Sequence, residues 1–172
     1  MIEERDQIST GKKIAFTRKG SSGSILVYVM NEDGSEPEEV ARGWNPSWSP
    51  DGKKIMFSYY DPHLIMGVNP IEIFVMDADG KELRIFTTQI STGYFSSADN
   101  ACWSAEGSRI VFERNDKGRA DIFVVNSDGK NRQRLTAAPA WNGNPSWSPD
   151  GKNVAFQTNR DGNSEIYVIP VP

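Results

Sequence analysis

One segment of this chain occurs again later in nearly the same form, and this repetition limits the folds that the chain can adopt. Residues 46–57 read Pro-Ser-Trp-Ser-Pro-Asp-Gly-Lys-Lys-Ile-Met-Phe, and residues 145–156 read Pro-Ser-Trp-Ser-Pro-Asp-Gly-Lys-Asn-Val-Ala-Phe. Residues 101–112 are a looser copy, and residues 11–16 keep only its second half. Self-similarity at a spacing of about 40 to 55 residues is typical of architectures that use one small unit several times.

Each copy leads into a second apolar run, and these runs are residues 26–31, 73–77, 122–126 and 166–169. Short runs rich in Val, Ile, Phe and Tyr are typical of β-strands. After three of the runs comes an Asp-Gly pair, at Asp33-Gly34, Asp79-Gly80 and Asp128-Gly129. Such a pair favours a tight hairpin, because glycine accepts a positive φ. Each repeat therefore predicts four strands, a to d, with strand d at residues 38–42, 83–87 and 132–136.

The burial pattern favours stacked sheets over one open sheet. Strands b and c carry consecutive apolar residues, as in 110–112 and 122–125, so both of their faces must be covered. Strand d is polar, which suits an outer edge. We therefore expect an all-β fold, a β-propeller with about four four-stranded antiparallel blades.

The expected domain is a single propeller, or half of one, over residues 1–172. The blades are placed at about 4–43, 44–89, 100–138 and 141–172. Residues 4–10 fit two roles, either strand a of blade one or the missing strand d of blade four.

The repeat Ser-Trp-Ser-Pro-Asp-Gly-Lys, followed by Ile-Phe-Val-Met-Asp and an Asp-Gly turn, resembles the TolB-like propeller repeat, also called the WD40-like repeat. Residues 46–51 and 145–150 match that repeat fully, whereas Ala105-Glu106 replaces the usual Pro-Asp. The resemblance covers nearly the whole chain. It implies a binding platform, since TolB is a periplasmic scaffold and related propellers lie beside peptidase domains. It also implies a ring of six or more blades, more than this chain holds.

Composition excludes several classes of partner. The net charge is −4, which argues against nucleic acid and anionic membrane surfaces, because both require basic protein surface. No apolar stretch approaches the ~20 residues of a membrane helix. The N-terminus lacks the apolar segment of a secretory signal. The expected compartment is therefore the cytoplasm for the chain as written, or the periplasm if a precursor segment is removed.

Insertions point to one end of the blades as the contact surface. In an antiparallel meander the b–c and d–a connections share one end, and the a–b and c–d turns share the other. Residues 58–70 and 88–100 are longer than their counterparts, and both belong to the first end, around blade two. Long loops on a rigid scaffold are where binding usually resides. The predicted partner- or ligand-binding residues are Tyr59, Tyr60, Asp61, His63, Met66, Tyr94, Phe95, Trp44, Asn45, Asn100, Trp141 and Asn142.

No catalytic motif is apparent in the sequence. His63 is the single histidine, which excludes a histidine cluster for zinc. We therefore predict no catalytic residue, no metal and no cofactor, and a non-catalytic scaffold for protein or peptide partners. The alternatives are a propeller that binds a small ligand or sugar, and a metal-dependent hydrolase or lyase with its site at the central channel.

The repeat count is compatible with two states of assembly. An arc of four blades leaves apolar faces uncovered, and such faces promote association. We expect a homodimer in which two chains close one eight-blade ring with two-fold symmetry. The alternative is a closed four-blade monomer.

Overall fold

A computed structural model of the chain describes residues 7–8, 13–60, 71–87, 96–116, 118–137 and 139–172. In these ranges the chain forms β-strands and turns, with no α-helix, and the strands make four antiparallel sheets. The predicted all-β fold with about four blades is confirmed. No helix in the part of the chain described here has the length and apolar character needed to span a bilayer.

Each sheet is one blade, and strands that follow each other along the chain lie side by side. Blade one contains β1 (Gln7–Ile8), β2 (Lys13–Lys19), β3 (Ile25–Asn31) and β4 (Glu38–Arg42). Blade two contains β5 (Trp44–Trp48), β6 (Lys54–Tyr60), β7 (Ile71–Asp77) and β8 (Arg84–Ile85). Blade three contains β9 (Ser96–Trp103), β10 (Arg109–Asp116), β11 (Arg119–Asn126) and β12 (Gln133–Arg134). Blade four contains β13 (Asn142–Trp147), β14 (Asn153–Thr158) and β15 (Glu165–Pro170).

Three strand and blade boundaries in the structure either correct the prediction from the sequence or settle a point that it left open. Residues 7 and 8 pair with Ala15 and Ile14, so this segment is strand a of blade one. Blade three begins at Ser96 rather than near residue 100, because β10 is long and its last residue, Asp116, pairs with Ser96. Residues 58–60 belong to β6, and 96–100 to β9, so the loops predicted over 58–70 and 88–100 are partly strand.

The a–b turns are held by a repeated serine and aspartate pair. The Ser49 hydroxyl donates to Asp51 Oδ1 at 2.6 Å, and the Lys53 amide donates to the same oxygen at 3.1 Å. Ser148 and Asp150 repeat this arrangement in blade four. These bonds stabilise the ionised carboxylate and lower the pKa of Asp51 and of Asp150, with the serine bond as the largest cause in each.

Neighbouring blades pack through three hydrophobic clusters, and one strand-a tryptophan contributes to each. Trp48 lies between blades one and two, Trp103 between blades two and three, and Trp147 between blades three and four. The Trp147 indole also donates to the Cys102 carbonyl of the preceding blade at 3.3 Å. Large aromatic side chains supply most of the buried area in such cores, so these residues fix the stacking of the blades.

The face of blade four that points away from blade three is open among the described residues. β15 is the outer strand of a sheet in which only three strands are described. Tyr167 and Ile169 turn towards blade three, and the alternate residues Ile166 and Val168 are 71% and 65% exposed. An apolar sheet face with an unpaired edge strand is a surface on which another strand or sheet can dock.

Candidate functional site

The ends of the sheets where strand a begins and strand b finishes form one surface, which we call the loop face. It includes Trp44 of β5, Tyr60 of β6, Asp99 of β9 and Glu113 of β10. The a–b and c–d turns lie at the opposite end. Of the predicted insertions around blade two, the described residues 58–60 and 96–100 lie at the loop-face ends of β6 and β9.

The same β-bulge occurs in strand a of three blades. Between Trp44 and Ser47, strand β5 advances by one residue more than its partner β6, and β9 and β13 show the same shift at Asp99–Cys102 and at Gly143–Ser146. Each bulge holds an asparagine in the left-handed region, with φ of 50° at Asn45, 54° at Asn100 and 52° at Asn144. Asparagine tolerates this conformation better than most residues with a Cβ. Bulges of this kind redirect side chains near functional surfaces.

These asparagines take part in a hydrogen-bonded arc across three blades, which we call the asparagine arc (Asn45, Asn100 and Asn144 with Asp99 and Glu113). Asn45 Nδ2 donates to Asn100 Oδ1 at 2.8 Å and to Asp99 Oδ1 at 3.0 Å. Asn100 Nδ2 donates to Glu113 Oε2 at 3.0 Å. The backbone N–H of Asn144 donates to the same Glu113 oxygen at 3.3 Å. The arc therefore ties the inner strands of blades two, three and four together at the loop face.

Trp141 completes the arc at blade four. Its indole hydrogen bonds to the Glu113 carboxylate and lies over Gly143, where an added Cβ would be 2.3 Å from Cζ2 of the ring. Burial raises the pKa of Glu113, and the nearby charge of Asp99 adds to that rise. The donors from Asn100, Asn144 and Trp141 act in the opposite direction, because they stabilise the ionised form.

The raised pKa of Glu113 gives a prediction on stability. From near its ordinary value of 4.5 up to the raised value, the folded protein retains a proton that the unfolded chain has lost. The free energy of unfolding contributed by Glu113 therefore falls as pH rises through this window. Glu113→Gln is a neutral mimic, so we expect its stability relative to the wild type to increase with pH across the window and then level off.

Urea unfolding at a series of pH values measures this difference. Glu38→Gln, at an exposed position of β4, is the matched control. A stability difference between Glu113→Gln and the wild type that stays constant with pH, or declines as pH rises, would contradict the assignment.

Trp44 and the two tyrosines lie together on blade two. Trp44 pairs with Ser58, directly before Tyr59, and its indole donates to Asp99 Oδ2 at 3.2 Å. The rings of Tyr59 and Tyr60 are stacked with centroids 5.8 Å apart, and Tyr59 also makes an edge contact with Phe74 at 5.8 Å. Tyr60 is 43% exposed. The pair presents an aromatic surface that is anchored in the blade.

The role predicted for Asn142 is wrong. Asn142 is fully buried, where it accepts from the Thr158 hydroxyl at 2.9 Å and donates to the carbonyl oxygens of Ala140 and Ala120. It locks blade four to blade three and is inaccessible to a ligand. The equivalent of Asn45 is Asn144, since each lies three residues before a strand-a tryptophan, Trp48 or Trp147.

Five of the predicted site residues, Asp61, His63, Met66, Tyr94 and Phe95, lie outside the described residues. The structure brings together Trp44, Asn45 and Asn100, and adds Trp141 through Glu113. Sequence reasoning missed Asn144, Asp99 and Glu113. Aligning the repeats on Asn-x-x-Trp identifies Asn144, but no sequence pattern marks the two carboxylates. Among the described residues, no group of three or more His, Cys, Asp or Glu side chains has a geometry that could hold a metal.

Comparison with known proteins agrees with the fold. Residues 93–172 match the family model for the TolB beta propeller domain. A Tol-Pal system protein TolB from Anaeromyxobacter dehalogenans (strain 2CP-1 / ATCC BAA-258) is 31% identical over 138 residues, which are 78% of this chain and 29% of that protein. The chain therefore spans less than a third of the length of this curated relative.

Two solved structures show the same architecture. TolB from Acinetobacter baumannii superposes with a TM-score of 0.71 at 18% identity, over 98% of this chain and 43% of that one. A putative TolB from Agrobacterium tumefaciens gives a TM-score of 0.72 at 22% identity, over 92% and 56%. At these identities the likeness establishes the fold.

Proposed function

We propose that this chain is a non-catalytic scaffold of the TolB-like family of β-propellers, and that its loop face binds a protein partner. The observation that carries the proposal is the stacked pair Tyr59 and Tyr60, which exposes an aromatic ring on the loop face. Tyrosine and tryptophan are enriched at the energetic centres of protein interfaces. The partner would contact Tyr60 and Trp44 together.

The asparagine arc supports a protein partner over a small ligand or sugar. The carboxamides of Asn45 and Asn100 are engaged with each other, with Asp99 and with Glu113. They therefore hold the rim rigid and are not available as the convergent polar groups of a small-molecule site. A rigid rim favours association, because less conformational freedom is lost on binding. Thermal unfolding with added divalent ions would test the second alternative, a metal-dependent enzyme, because an ion bound to the folded state raises the unfolding midpoint.

The first candidate partners are proteins of the Tol-Pal system, because the curated relative is named as a protein of that system. We propose that the complex forms in the periplasm, and the resemblance to TolB-like scaffolds supports this location. Fractionation of cells that express the protein tests this location, and recovery of the protein from the cytoplasm alone would contradict it.

We expect Tyr60→Ala to weaken binding of such a partner about tenfold, the equivalent of roughly 1.4 kcal/mol, which is typical of an exposed aromatic anchor. Biolayer interferometry with purified Tol-Pal proteins of the same organism measures the affinity. Leu83→Ala is the matched control, since Leu83 is 56% exposed on the same blade at the opposite end. Equal affinities for the wild type and Tyr60→Ala, or an equal loss in Leu83→Ala, would reject the loop face as the contact surface.

We also propose that a second copy of the chain covers the open face of blade four, as in the eight-blade ring expected from the repeats. Exposed Ile166 and Val168 on the outer strand β15 support this arrangement. Light scattering of the 172-residue chain should give twice the monomer mass of 19.2 kDa. Ile166→Lys together with Val168→Lys should return the chain to monomer, whereas a wild-type monomer across the micromolar range would contradict the proposal.

A further inference from the structure

An acid on strand c and a threonine after strand d form a buried pair in blade two, which we call the acid–threonine lock. The Thr87 hydroxyl donates to the Glu72 carboxylate and accepts from the backbone N–H of Ile73 at 2.9 Å. Phe86, directly before the threonine, donates its N–H to the Ile73 carbonyl at 2.7 Å and packs in the same hydrophobic cluster as Ile73. The end of strand d is therefore tied to strand c by hydrogen bonds and by apolar packing.

Blade three contains the same lock with different side chains. Thr136 donates to the Asp121 carboxylate at 2.9 Å and accepts from the backbone N–H of Ile122 at 3.0 Å. Leu135 donates its N–H to the Ile122 carbonyl at 2.8 Å and packs beside Ile122 between blades three and four. In both blades, strand d therefore brings a large apolar residue followed by threonine to an acid followed by isoleucine on strand c.

Blade four carries the strand-c half of this lock. Residues 165–168 (Glu-Ile-Tyr-Val) align with residues 121–124 (Asp-Ile-Phe-Val), and the third residue of each run pairs with a phenylalanine of strand b. Glu165 is exposed and Ile166 is 71% exposed, whereas the first two residues of the blade-three run are buried. In the part of the chain that the structure describes, no strand pairs with the outer edge of β15. The positions that strand d covers in blades two and three are therefore open in blade four.

The outer edge of β15 also offers the backbone groups that a further strand requires. Ile122 directs its N–H and its C=O towards strand d. Because the registers are equivalent, the same two groups of Ile166 lie at the outer edge of β15. Residues 7 and 8, which the sequence offered as an alternative source of this strand, pair with β2 instead. An unpaired edge of this kind is a template for a strand from another molecule.

We propose that the outer edge of β15 binds an extended segment of a protein partner, which pairs as strand d of blade four and directs a threonine or serine hydroxyl to Glu165. The residue before the hydroxyl is large and apolar, as Phe86 and Leu135 are, and it covers Ile166. In strand addition, main-chain hydrogen bonds supply affinity and the side-chain positions supply specificity. The Glu165 carboxylate and the Ile166 side chain therefore select the sequence of the segment.

This site goes beyond the loop-face function and differs from the contact with a second copy of the chain. The segment pairs with the edge of β15, whereas the second copy packs on the side-chain face of the same strand. The junction between blades two and three shows that both contacts fit together, because Ile73 packs in one cluster with Phe86 of strand d and with Phe112 of blade three. The edge site therefore remains available in a monomer and in a dimer.

A peptide with the sequence of residues 130–137 (Lys-Asn-Arg-Gln-Arg-Leu-Thr-Ala), which contains strand d of blade three, is the probe. Fluorescence anisotropy of the labelled peptide with the 172-residue chain should show saturable binding. A second peptide, with valine in place of threonine, keeps the shape and removes the hydroxyl. We expect it to bind about tenfold more weakly, because a hydrogen bond to a charged group is lost.

Glu165→Ala is the informative variant, since Glu165 is exposed and its removal leaves the core of blade four in place. We expect it to weaken binding of the threonine peptide about tenfold. Glu165→Asp should retain most of the affinity, because blade three uses an aspartate at this position. Glu38→Ala, at an exposed position of β4, is the matched control. Tyr60→Ala should bind the peptide as the wild type does, which separates this site from the loop face.

Amide hydrogen exchange reports the strand pairing itself. We expect the bound peptide to slow exchange at Ile166, whose N–H lies at the edge that the peptide occupies. Absence of binding at millimolar concentration, equal affinity in Glu165→Ala and the wild type, or unchanged exchange at Ile166 in the bound chain would overturn the proposal.

Discussion

Replacing Gly43 with alanine is expected to lower the free energy of unfolding by about 3 kcal/mol or more, through backbone strain combined with a steric clash. Gly43 joins β4 of blade one to β5 of blade two, with a φ of 145°. A Cβ at this position would lie 2.5 Å from the carbonyl oxygen of Ser58 and 2.6 Å from Cδ2 of Phe57. Neither neighbour can move easily, because Ser58 and Phe57 are buried in β6. The strand that carries Tyr59 and Tyr60 would therefore have to shift.

Gly34→Ala separates the clash from the strain. Gly34 has a φ of 82°, and nothing lies within 4 Å of its added Cβ. Its cost is the left-handed conformation alone, about 1 to 2 kcal/mol. Urea unfolding of both variants measures the two costs. Equal losses of stability would show that the close contact at Gly43 is relieved at no cost. This result would contradict the claim that the junction between blades one and two has no room for a Cβ.

The second large effect is expected at Asp121. Asp121→Ala should lower the free energy of unfolding by about 3 kcal/mol, which is near the lower end for removing one partner of a buried ion pair. Its Oδ1 accepts from the Thr136 hydroxyl at 2.9 Å, and the same hydroxyl accepts from the Ile122 amide at 3.0 Å. Its Oδ2 accepts a hydrogen bond from Arg134 and forms an ion pair with Arg119. These two arginines remain partly solvated, which limits the cost.

Thermal unfolding should record this loss as a fall in the midpoint of roughly 6 to 12 °C for a chain of this size. Faster amide exchange at residues 133–136 should accompany it, because Asp121 holds the end of β12. Asp128→Ala, at an exposed turn of the same blade, should cost less than about 1 kcal/mol. Equal effects of the two substitutions would mean that the Asp121 network contributes nothing beyond a surface turn.

Much of the architecture can be predicted from the sequence because each repeat is locally consistent. The strand predicted at residues 38–42 is β4, with the same bounds. Trp48, Trp103 and Trp147 of the repeated strand a pack between blades, since a large aromatic side chain in a strand that is covered on both faces has no other place to be buried. The Asp-Gly turns likewise encode their own conformation.

The sequence pattern overestimates the length of strand d in blades two and three. Residues 83–87 and 132–136 were expected to be strands, but only two residues of each, in β8 and β12, are strand. What holds the rest in place is a buried acid and threonine pair, Glu72 with Thr87 in blade two and Asp121 with Thr136 in blade three. The acid is on strand c and the threonine follows strand d, so the pair is visible only when the strands are placed side by side.

The candidate site illustrates the same limit. Trp44-Asn45 and Trp141-Asn142 are identical dipeptides, yet the first is at a bulge and the second forms a buried lock between blades. The bulge adds one residue to strand a, and only the distance to the following tryptophan shows which asparagine adopts the left-handed conformation. Asp99 and Glu113 reach the arc through pairing between β9 and β10, which depends on tertiary register.

Hydroxyl-radical footprinting of the chain with and without its protein partner tests the central claim most directly, because it reports the solvent exposure of individual side chains. We predict that the partner reduces oxidation of Tyr60 and Trp44 on the loop face and leaves Leu83, at the opposite end of blade two, unchanged. The opposite result would be protection of Leu83 while Tyr60 and Trp44 are oxidised as fast as in the free chain. That result would contradict the assignment of the loop face as the binding surface.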